Sequence, residues 1–323
     1  MQRSESWKED LLGNDLEQMT IRQPDDYEGA VICTLVRKKS VKSTASAVLY
    51  VHGFNDYFFQ KEMAEKFVDN GFDFYAIDLR KHGRSWLPHQ KFNNVRDICE
   101  YYEDIDRALE LIRNEGHHRV LLSGHSTGGL IVTVYAGDRP RSQLFHALFA
   151  NSPNFAFNNH WLLRKWVLPV ISILGKKFPD NLIKGGFSPF YGPSLHKSEQ
   201  GEWDYNLTWK PHKAPLVNWG FLRAMHLAQK KVMKGTKIDV PVLIMHSDNS
   251  LYKKNWSGKM FTGDVILNIR HIRKIAEKIK GPVEIQTIDG GMHDLVLSRK
   301  QVRAKVYDSI FEWLNKKDQL FTI

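Results

Sequence analysis

The amino-acid sequence predicts an α/β fold: one mostly parallel sheet, helices on both of its faces, and a segment inserted after the middle of the chain. Three observations predict it. Short apolar runs alternate with amphipathic stretches through the first half. The alternation breaks near Pro153, and it resumes with the apolar run at Val240. A length of 323 residues suits one core with an insertion better than two large domains. The expected division is a core over residues 1–152, an inserted cap over 153–237, and a second core portion over 238–323.

The elements follow in order. Residues 30–36 read as a strand, as do residues 47–51, which run into the turn-prone His52-Gly53-Phe54-Asn55-Asp56. Residues 60–70 carry Met63, Phe67 and Val68 at helical spacing, and Gly71 stops them. Residues 72–77 form the next strand. In the helix over 98–112, Tyr102, Ile105, Ala108 and Leu109 share one side. A strand over 119–122, a helix over 128–136 and a strand over 144–150 continue the rhythm. The segments 161–174 and 219–233 read as helices separated by loop. A strand over 240–245, a helix over 267–279, a strand over 283–288 and a helix over 302–314 close the chain. Strands joined through helices are parallel, and their crossovers are right-handed.

Composition narrows the class. Hydrophobic residues make up 42% and charged residues 25%, as in ordinary globular proteins. Two cysteines, Cys33 and Cys99, are too few for a disulfide framework. The opening MQRSESWKED lacks the apolar run of a secretory signal, and residues 161–174 are too short and too interrupted to span a bilayer. A cytoplasmic location is therefore expected. The net charge is +10, and residues 153–237 hold thirteen Lys or Arg against four Asp or Glu. Five tryptophans lie in the same segment: Trp161, Trp166, Trp203, Trp209 and Trp219. Basic and aromatic together fit an anionic, greasy ligand or transient contact with a membrane surface, and equally a solvated face over buried tryptophans. No recognition motif accompanies the charge, so nucleic-acid binding is not expected. No histidine pair stands at ligand spacing, so metal catalysis is not expected either.

The chemistry centres on Gly124-His125-Ser126-Thr127-Gly128. It follows the apolar Val120-Leu121-Leu122 and opens the apolar Leu130-Ile131-Val132, which is the strand–turn–helix context of a G-x-S-x-G nucleophile elbow. Such a turn exposes the serine hydroxyl and aims a helix N-terminus at developing negative charge. Ser126 is the candidate nucleophile. Its base should sit in a loop beyond a strand's C-terminal end, and His293, after the strand over 283–288, has that position. A carboxylate must orient the imidazole. Asp264, which precedes Val265-Ile266-Leu267, is favoured; Asp248, directly after its strand, is the alternative acid. Outside catalysis, Asp264 would be a helix cap and Asp248 a turn former. Two backbone N–H donors should form the oxyanion hole, one from Thr127 and one from Phe54. His52 is expected to brace the Phe54 loop.

These stretches resemble the monoacylglycerol lipase and lysophospholipase branch of the α/β hydrolases, also grouped as serine aminopeptidase S33-like. The resemblance is carried by Val48-Leu49-Tyr50-Val51-His52-Gly53-Phe54, Asp78-Leu79-Arg80-Lys81-His82-Gly83-Arg84-Ser85, Gly124-His125-Ser126-Thr127-Gly128-Gly129 and Gly290-Gly291-Met292-His293-Asp294-Leu295. It implies an eight-stranded sheet, a cap over the site and no cofactor. It places the nucleophile on Ser126, the base on His293, and the oxyanion donors on Phe54 and Thr127. The acid of that family lies in an Asp-x-Val-Val stretch soon after a His-Gly dipeptide. Here His246 is followed by Ser247, and the matching stretch comes later, as Asp264-Val265-Ile266-Leu267. The loop between, with Tyr252 and Trp256, is expected near the site.

The resulting expectation is hydrolysis of a small-molecule, lipid-like carboxylic ester through an acyl-enzyme. Phe155, Phe157, Trp161, Leu162, Trp166, Phe187, Phe190, Tyr191 and Trp219 fit the lining of an acyl pocket, and each fits the cap's own core equally well. An S33-like aminopeptidase and a non-catalytic ligand-binding protein on the same fold are the alternatives. The oligomeric state is not readable from the sequence.

Overall fold

The computed structural model describes residues 5–140, 142–158, 162–185, 188–252 and 255–317. Eleven strands occur among them: β1 (Lys8–Glu9), β2 (Glu17–Asp26), β3 (Gly29–Lys38), β4 (Ser46–Val51), β5 (Asp73–Asp78), β6 (Arg119–His125), β7 (Ala147–Asn151), β8 (Leu182–Lys184), β9 (Leu216–Asn218), β10 (Val242–Ser247) and β11 (Val283–Ile288). Nine form one sheet in the order β1-β2-β3-β5-β4-β6-β7-β10-β11. From β5 to β11 every neighbouring pair is parallel, whereas β1, β2 and β3 join antiparallel. The sheet therefore exceeds the expected eight strands by one, and the two-residue β1 at the edge accounts for the difference.

The principal helices are α1 (Lys61–Asp69), α2 (Glu100–Asn114), α3 (Thr127–Asp138), α4 (Leu168–Lys177), α5 (Tyr191–Leu195), α6 (Trp219–Met233), α7 (Ile269–Ala276) and α8 (Lys300–Asn315). Side-chain alternation divides the core into two layers. Val48 and Tyr50 point to the face covered by Met63 and Phe67 of α1 and by Ile310 and Trp313 of α8. Leu49 and Val51 point to the face covered by Ile105 of α2, Leu130 of α3, Met225 of α6 and Ile272 of α7. Strands buried on both sides read as continuous apolar runs, which is why β4, β6 and β10 stood out in the sequence.

Several elements depart from expectation. No strand was expected over β2, because its inward series is Met19, Ile21 and the polar Gln23, whose amide meets Cys33 Sγ at 3.3 Å. The helix expected over 161–174 begins its α-helical part at Leu168, after a π-helical turn over Leu163–Val167. Between β7 and β10 the chain forms α4, α5, α6 and a small antiparallel ladder of β8 and β9. In α4, Leu168, Ile171, Ser172 and Gly175 are buried, at spacings of three and four residues. Gly175 lies so close to α6 that an added Cβ would stand 2.6 Å from the Trp219 carbonyl oxygen. Helix α6 also packs on the sheet side, with Phe221, Ala224, Met225, Ala228 and Val232 buried in the main core. It serves both the inserted segment and the core.

Candidate active site

The C-terminal ends of the parallel strands assemble the site. Ser126 stands between β6 and α3 at φ +52°, ψ −113°, a backbone region costly for any residue with a Cβ. Close packing holds it there. An added Cβ on Gly124 would meet the Gly128 carbonyl oxygen at 2.5 Å, and one on Gly128 would meet the carbonyl oxygens of Val51 and His52 at 2.3 Å each. The elbow is thus pressed onto the end of β4 by backbone that cannot yield. Gly128→Ala is expected to lower stability by at least ~3 kcal/mol, the upper end for overpacking, read from the urea midpoint. Gly258→Ala, where nothing lies within 4 Å of the new Cβ, is expected to leave the midpoint unchanged.

Ser126 Oγ lies 3.0 Å from His293 Nε2, and His293 Nδ1 lies 2.8 Å from Asp264 Oδ2. The other oxygen of Asp264 accepts from the backbone N–H of Ile266 and Leu267, each at 2.7 Å. A carboxylate so supplied with donors accepts a further proton bond from His293 Nδ1–H, leaving Nε2 to accept from the Ser126 hydroxyl. All three side chains are buried, Asp264 completely.

Asp264 reaches this place although it follows β10 by seventeen positions. The excursion over 249–263 closes on itself: Asp264 N–H donates to the Asn249 carbonyl at 2.8 Å, and Leu251 N–H donates to the Asp264 carbonyl at 2.7 Å. This closure brings Asp264 back beside Asn249, two residues past the end of β10. Asp248 is exposed and turned elsewhere, its Oδ1 accepting from Gly290 N–H at 2.9 Å. It steadies the loop that carries His293 and does not touch the imidazole. Within the excursion, Trp256 packs against Phe190 and Phe261, and Tyr252 is exposed. Neither is among the described residues lining the cavity over Ser126.

Asn151, at the end of β7, was not singled out in the sequence, yet it links the two halves of the site. Its carbonyl accepts from Ser126 N–H at 2.9 Å. Its side-chain amide donates to Asp294 Oδ1 at 2.7 Å and accepts from Leu295 N–H at 3.3 Å. One residue thereby ties the Ser126 turn to the segment following His293. An isolated Asn after an apolar strand gives no sequence signal of such a role.

His52 braces its loop. Nδ1 meets the Gly53 carbonyl at 2.8 Å and Nε2 accepts from Leu79 N–H at 3.1 Å. His125 is buried beside His293, with ring centroids 4.9 Å apart, and burial holds its pKa well below the usual imidazole range. It stays neutral where a serine base must work. Phe54 and Thr127 both line the cavity beside Ser126. Thr127 is the first residue of α3, so its N–H belongs to the first-turn donors without an intrahelical acceptor.

The cavity measures about 540 Å³. Its apolar part is made mainly of aliphatic residues, among them Leu168, Ile171, Val217, Leu222, Met225 and Ile266. Of the residues that fit such a lining by sequence, Phe157 and Tyr191 line it. Phe155 is core, Leu162 and Trp166 face solvent, and Phe190 meets Trp256 edge-on. Trp219 packs its backbone on Gly175, and Trp161 and Phe187 lie outside the described residues. Tyr205 and Phe221 of the insertion line the cavity too, so aromatic residues form part of the wall and aliphatic residues, chiefly of α4, β9 and α6, the larger part. The polar end holds Asn55, Asp56 and Lys210. Asp56 and Lys210 are buried and paired at 2.7 Å.

A parallel sheet bearing a serine elbow, with histidine and aspartate delivered by later strand ends, is the architecture of an α/β hydrolase. The family model described as serine aminopeptidase, S33 matches residues 42–300. The chain belongs to this family of α/β serine hydrolases. It is 27% identical over 214 residues to a monoacylglycerol lipase of Mycolicibacterium smegmatis, covering 62% of this chain and 69% of that enzyme. A shorter match, 30% over 116 residues, relates it to epoxide hydrolase 3 of Xenopus tropicalis, with 36% and 30% of the two chains covered. Among solved structures, a soluble variant of monoglyceride lipase from Saccharomyces cerevisiae in complex with a substrate analogue superposes with a TM-score of 0.69 at 18% identity, covering 94% of this chain and 95% of that one. The monoacylglycerol lipase of Paleococcus ferrophilus superposes with 0.66 at 22% identity, covering 87% and 98%. These two likenesses establish the fold.

Proposed function

We propose that the protein hydrolyses carboxylic esters with an apolar acyl chain, of monoacylglycerol or lysophospholipid kind, through an acyl-enzyme on Ser126. The observation that carries this is the hydrogen-bonded series Asp264–His293–Ser126 opening into a largely aliphatic cavity. His293 Nε2 takes the hydroxyl proton as Ser126 Oγ attacks the ester carbonyl. The oxyanion is met by the N–H groups of Phe54 and Thr127 at the start of α3. Collapse releases the alcohol, protonated by His293. Water, deprotonated by the same nitrogen, then cleaves the acyl-enzyme and frees the acid. Asp264 stabilises the imidazolium throughout.

Residues 153–237 act in this reading as a cap whose α4 and α6 enclose the acyl chain. Similarity to enzymes named monoacylglycerol lipase supports the ester substrate. The alternative, removal of N-terminal residues, needs an anionic group to hold an ammonium. Asp56 is the carboxylate lining the cavity among the described residues, and Lys210 already neutralises it.

The test is a panel of p-nitrophenyl esters of graded chain length beside aminoacyl arylamides. The expected result is kcat/KM rising with acyl length from acetate to a medium or long chain, about tenfold for each one to two buried methylenes and then levelling as the cavity fills, with arylamides unreactive. Met225→Trp, which fills the cavity, should move the preference to shorter chains. Arylamide turnover exceeding ester turnover would replace this reading with the peptidase one.

A further inference from the structure

The loop after β4 is tied to the inserted segment almost residue by residue. The ring of Phe54 lies 5.3 Å from that of Phe221 on α6. Asn55 Nδ2 donates to the Pro211 carbonyl at 3.2 Å. Asp56 Oδ2 meets Lys210 Nζ at 2.7 Å. The Tyr57 hydroxyl accepts from Asn206 N–H at 2.7 Å, and Trp209 stands edge-on to the Tyr57 ring at 5.2 Å. Phe59 packs on Tyr205 at 4.8 Å. Phe58 turns to the core instead, its N–H donating to Asp78 Oδ1 at 2.8 Å. Numbers fall along 205–211 as they rise along 55–59, so the two segments run side by side in opposite directions.

The loop has need of outside support. Asn55 stands at φ +54°, in the left-handed region that residues with a Cβ seldom adopt. The loop also presses on the Ser126 turn, since an added Cβ on Gly53 would meet Ser126 Cβ at 3.2 Å. So close to the reacting atoms, a displacement of about 1 Å can cost on the order of a hundredfold in rate. Lys210 and Asp56 form the central tie. Their side chains are 8% and 2% exposed. The ammonium also lies 5.6, 5.8 and 5.7 Å from the ring centres of Phe59, Tyr191 and Tyr205. A cation set against a carboxylate and three aromatic rings is strongly held, and freeing either charge would leave the other buried without a partner.

We propose that residues 205–211 of the insertion clasp the loop over 54–59 and thereby hold the Phe54 N–H in place as an oxyanion donor, with the buried Asp56–Lys210 pair as the central tie. Lys210, Asp56 and Tyr57 are then positioning residues, acting on the reaction through the backbone of Phe54. This stretch of the insertion is part of the catalytic machinery and not only a cover over it. The inference deepens the serine-hydrolase reading and rests on it for the role of Phe54, but not on the identity of the ester.

The test compares three variants of the full chain in turnover of a short p-nitrophenyl ester and in the rate of fluorophosphonate labelling, whose adduct also places an oxygen in the oxyanion hole. Lys210→Met removes the ammonium and leaves Asp56 unpaired. The double variant Asp56→Asn with Lys210→Met removes both charges, so its urea midpoint should stay near that of wild type. Tyr57→Phe removes an uncharged tie. For Lys210→Met and the double variant, kcat should fall about tenfold to a hundredfold with KM within about twofold, the signature of an interaction made in the transition state. Labelling should slow by a similar factor. Tyr57→Phe should show the same split, reduced to a loss of about threefold to tenfold. Wild-type kcat and labelling rate in the folded double variant would overturn the proposal. So would a raised KM at unchanged kcat, which would make Lys210 a substrate contact. A loss in the double variant that Tyr57→Phe does not share would also overturn it, since charge and not the clasp would then be at work. Absence of ester turnover in the wild type, with labelling still slowed in all three variants, would defeat the ester reading alone.

Discussion

Ser126→Ala is expected to remain folded and to lose ester turnover by about 10⁵-fold or more, with substrate affinity little changed. Among the described residues the hydroxyl makes one hydrogen bond, 3.0 Å to His293 Nε2, and the residue is held by its backbone. Removing Oγ leaves that backbone intact: Ser126 N–H still reaches the Asn151 carbonyl, and its own carbonyl still accepts from Leu130 N–H. Chemistry is lost while the fold stays. Activity that remains after this substitution should be no more than oxyanion stabilisation and binding supply to an attacking water. The measurement is steady-state turnover of a p-nitrophenyl ester with the urea midpoint taken alongside. A loss of less than about a hundredfold, at unchanged stability, would mean that another group attacks the ester.

The second large effect distinguishes two aspartates. Asp264→Asn should lower kcat by about 10⁴-fold, whereas Asp248→Asn should stay within a few-fold of wild type. An asparagine at 264 can keep its carbonyl oxygen on the Ile266 and Leu267 N–H groups. Its NH₂ then faces His293 Nδ1, which must become an acceptor. The ring proton moves to Nε2, where it blocks the nitrogen that has to receive the Ser126 proton. At 248 the carbonyl of an asparagine can still accept from Gly290 N–H, so the loop keeps its anchor. Equal losses for both variants, or a nearly normal Asp264→Asn enzyme, would contradict the geometry.

The sheet and the serine turn were legible because their causes are local. A buried parallel strand needs an uninterrupted apolar run, and a tight strand-to-helix turn needs glycine at fixed offsets, so β4, β6, β10 and Gly124-His125-Ser126-Thr127-Gly128 stand out in the sequence. Strand β2 was hidden by Gln23, a polar residue in an apolar slot, and by Pro24 on its exposed side. Asp264 was legible only through the apolar residues after it. What makes its position possible, the closure of the 249–263 excursion by backbone hydrogen bonds, has no residue signature. The cavity was least legible. Its wall depends on which face of α4 meets α6, and a helix apolar on both faces does not declare which one that is. Nor did the sequence mark α6 as shared between core and insertion, since its apolar residues serve both.

The most direct test of the account is labelling with a fluorophosphonate, read by intact mass and then by peptide mapping. The account predicts one adduct per chain, carried on the hydroxyl of Ser126, slowed by Asp264→Asn and absent from Ser126→Ala. An adduct on a different residue, or steady ester turnover by a chain that takes up no label, would contradict it.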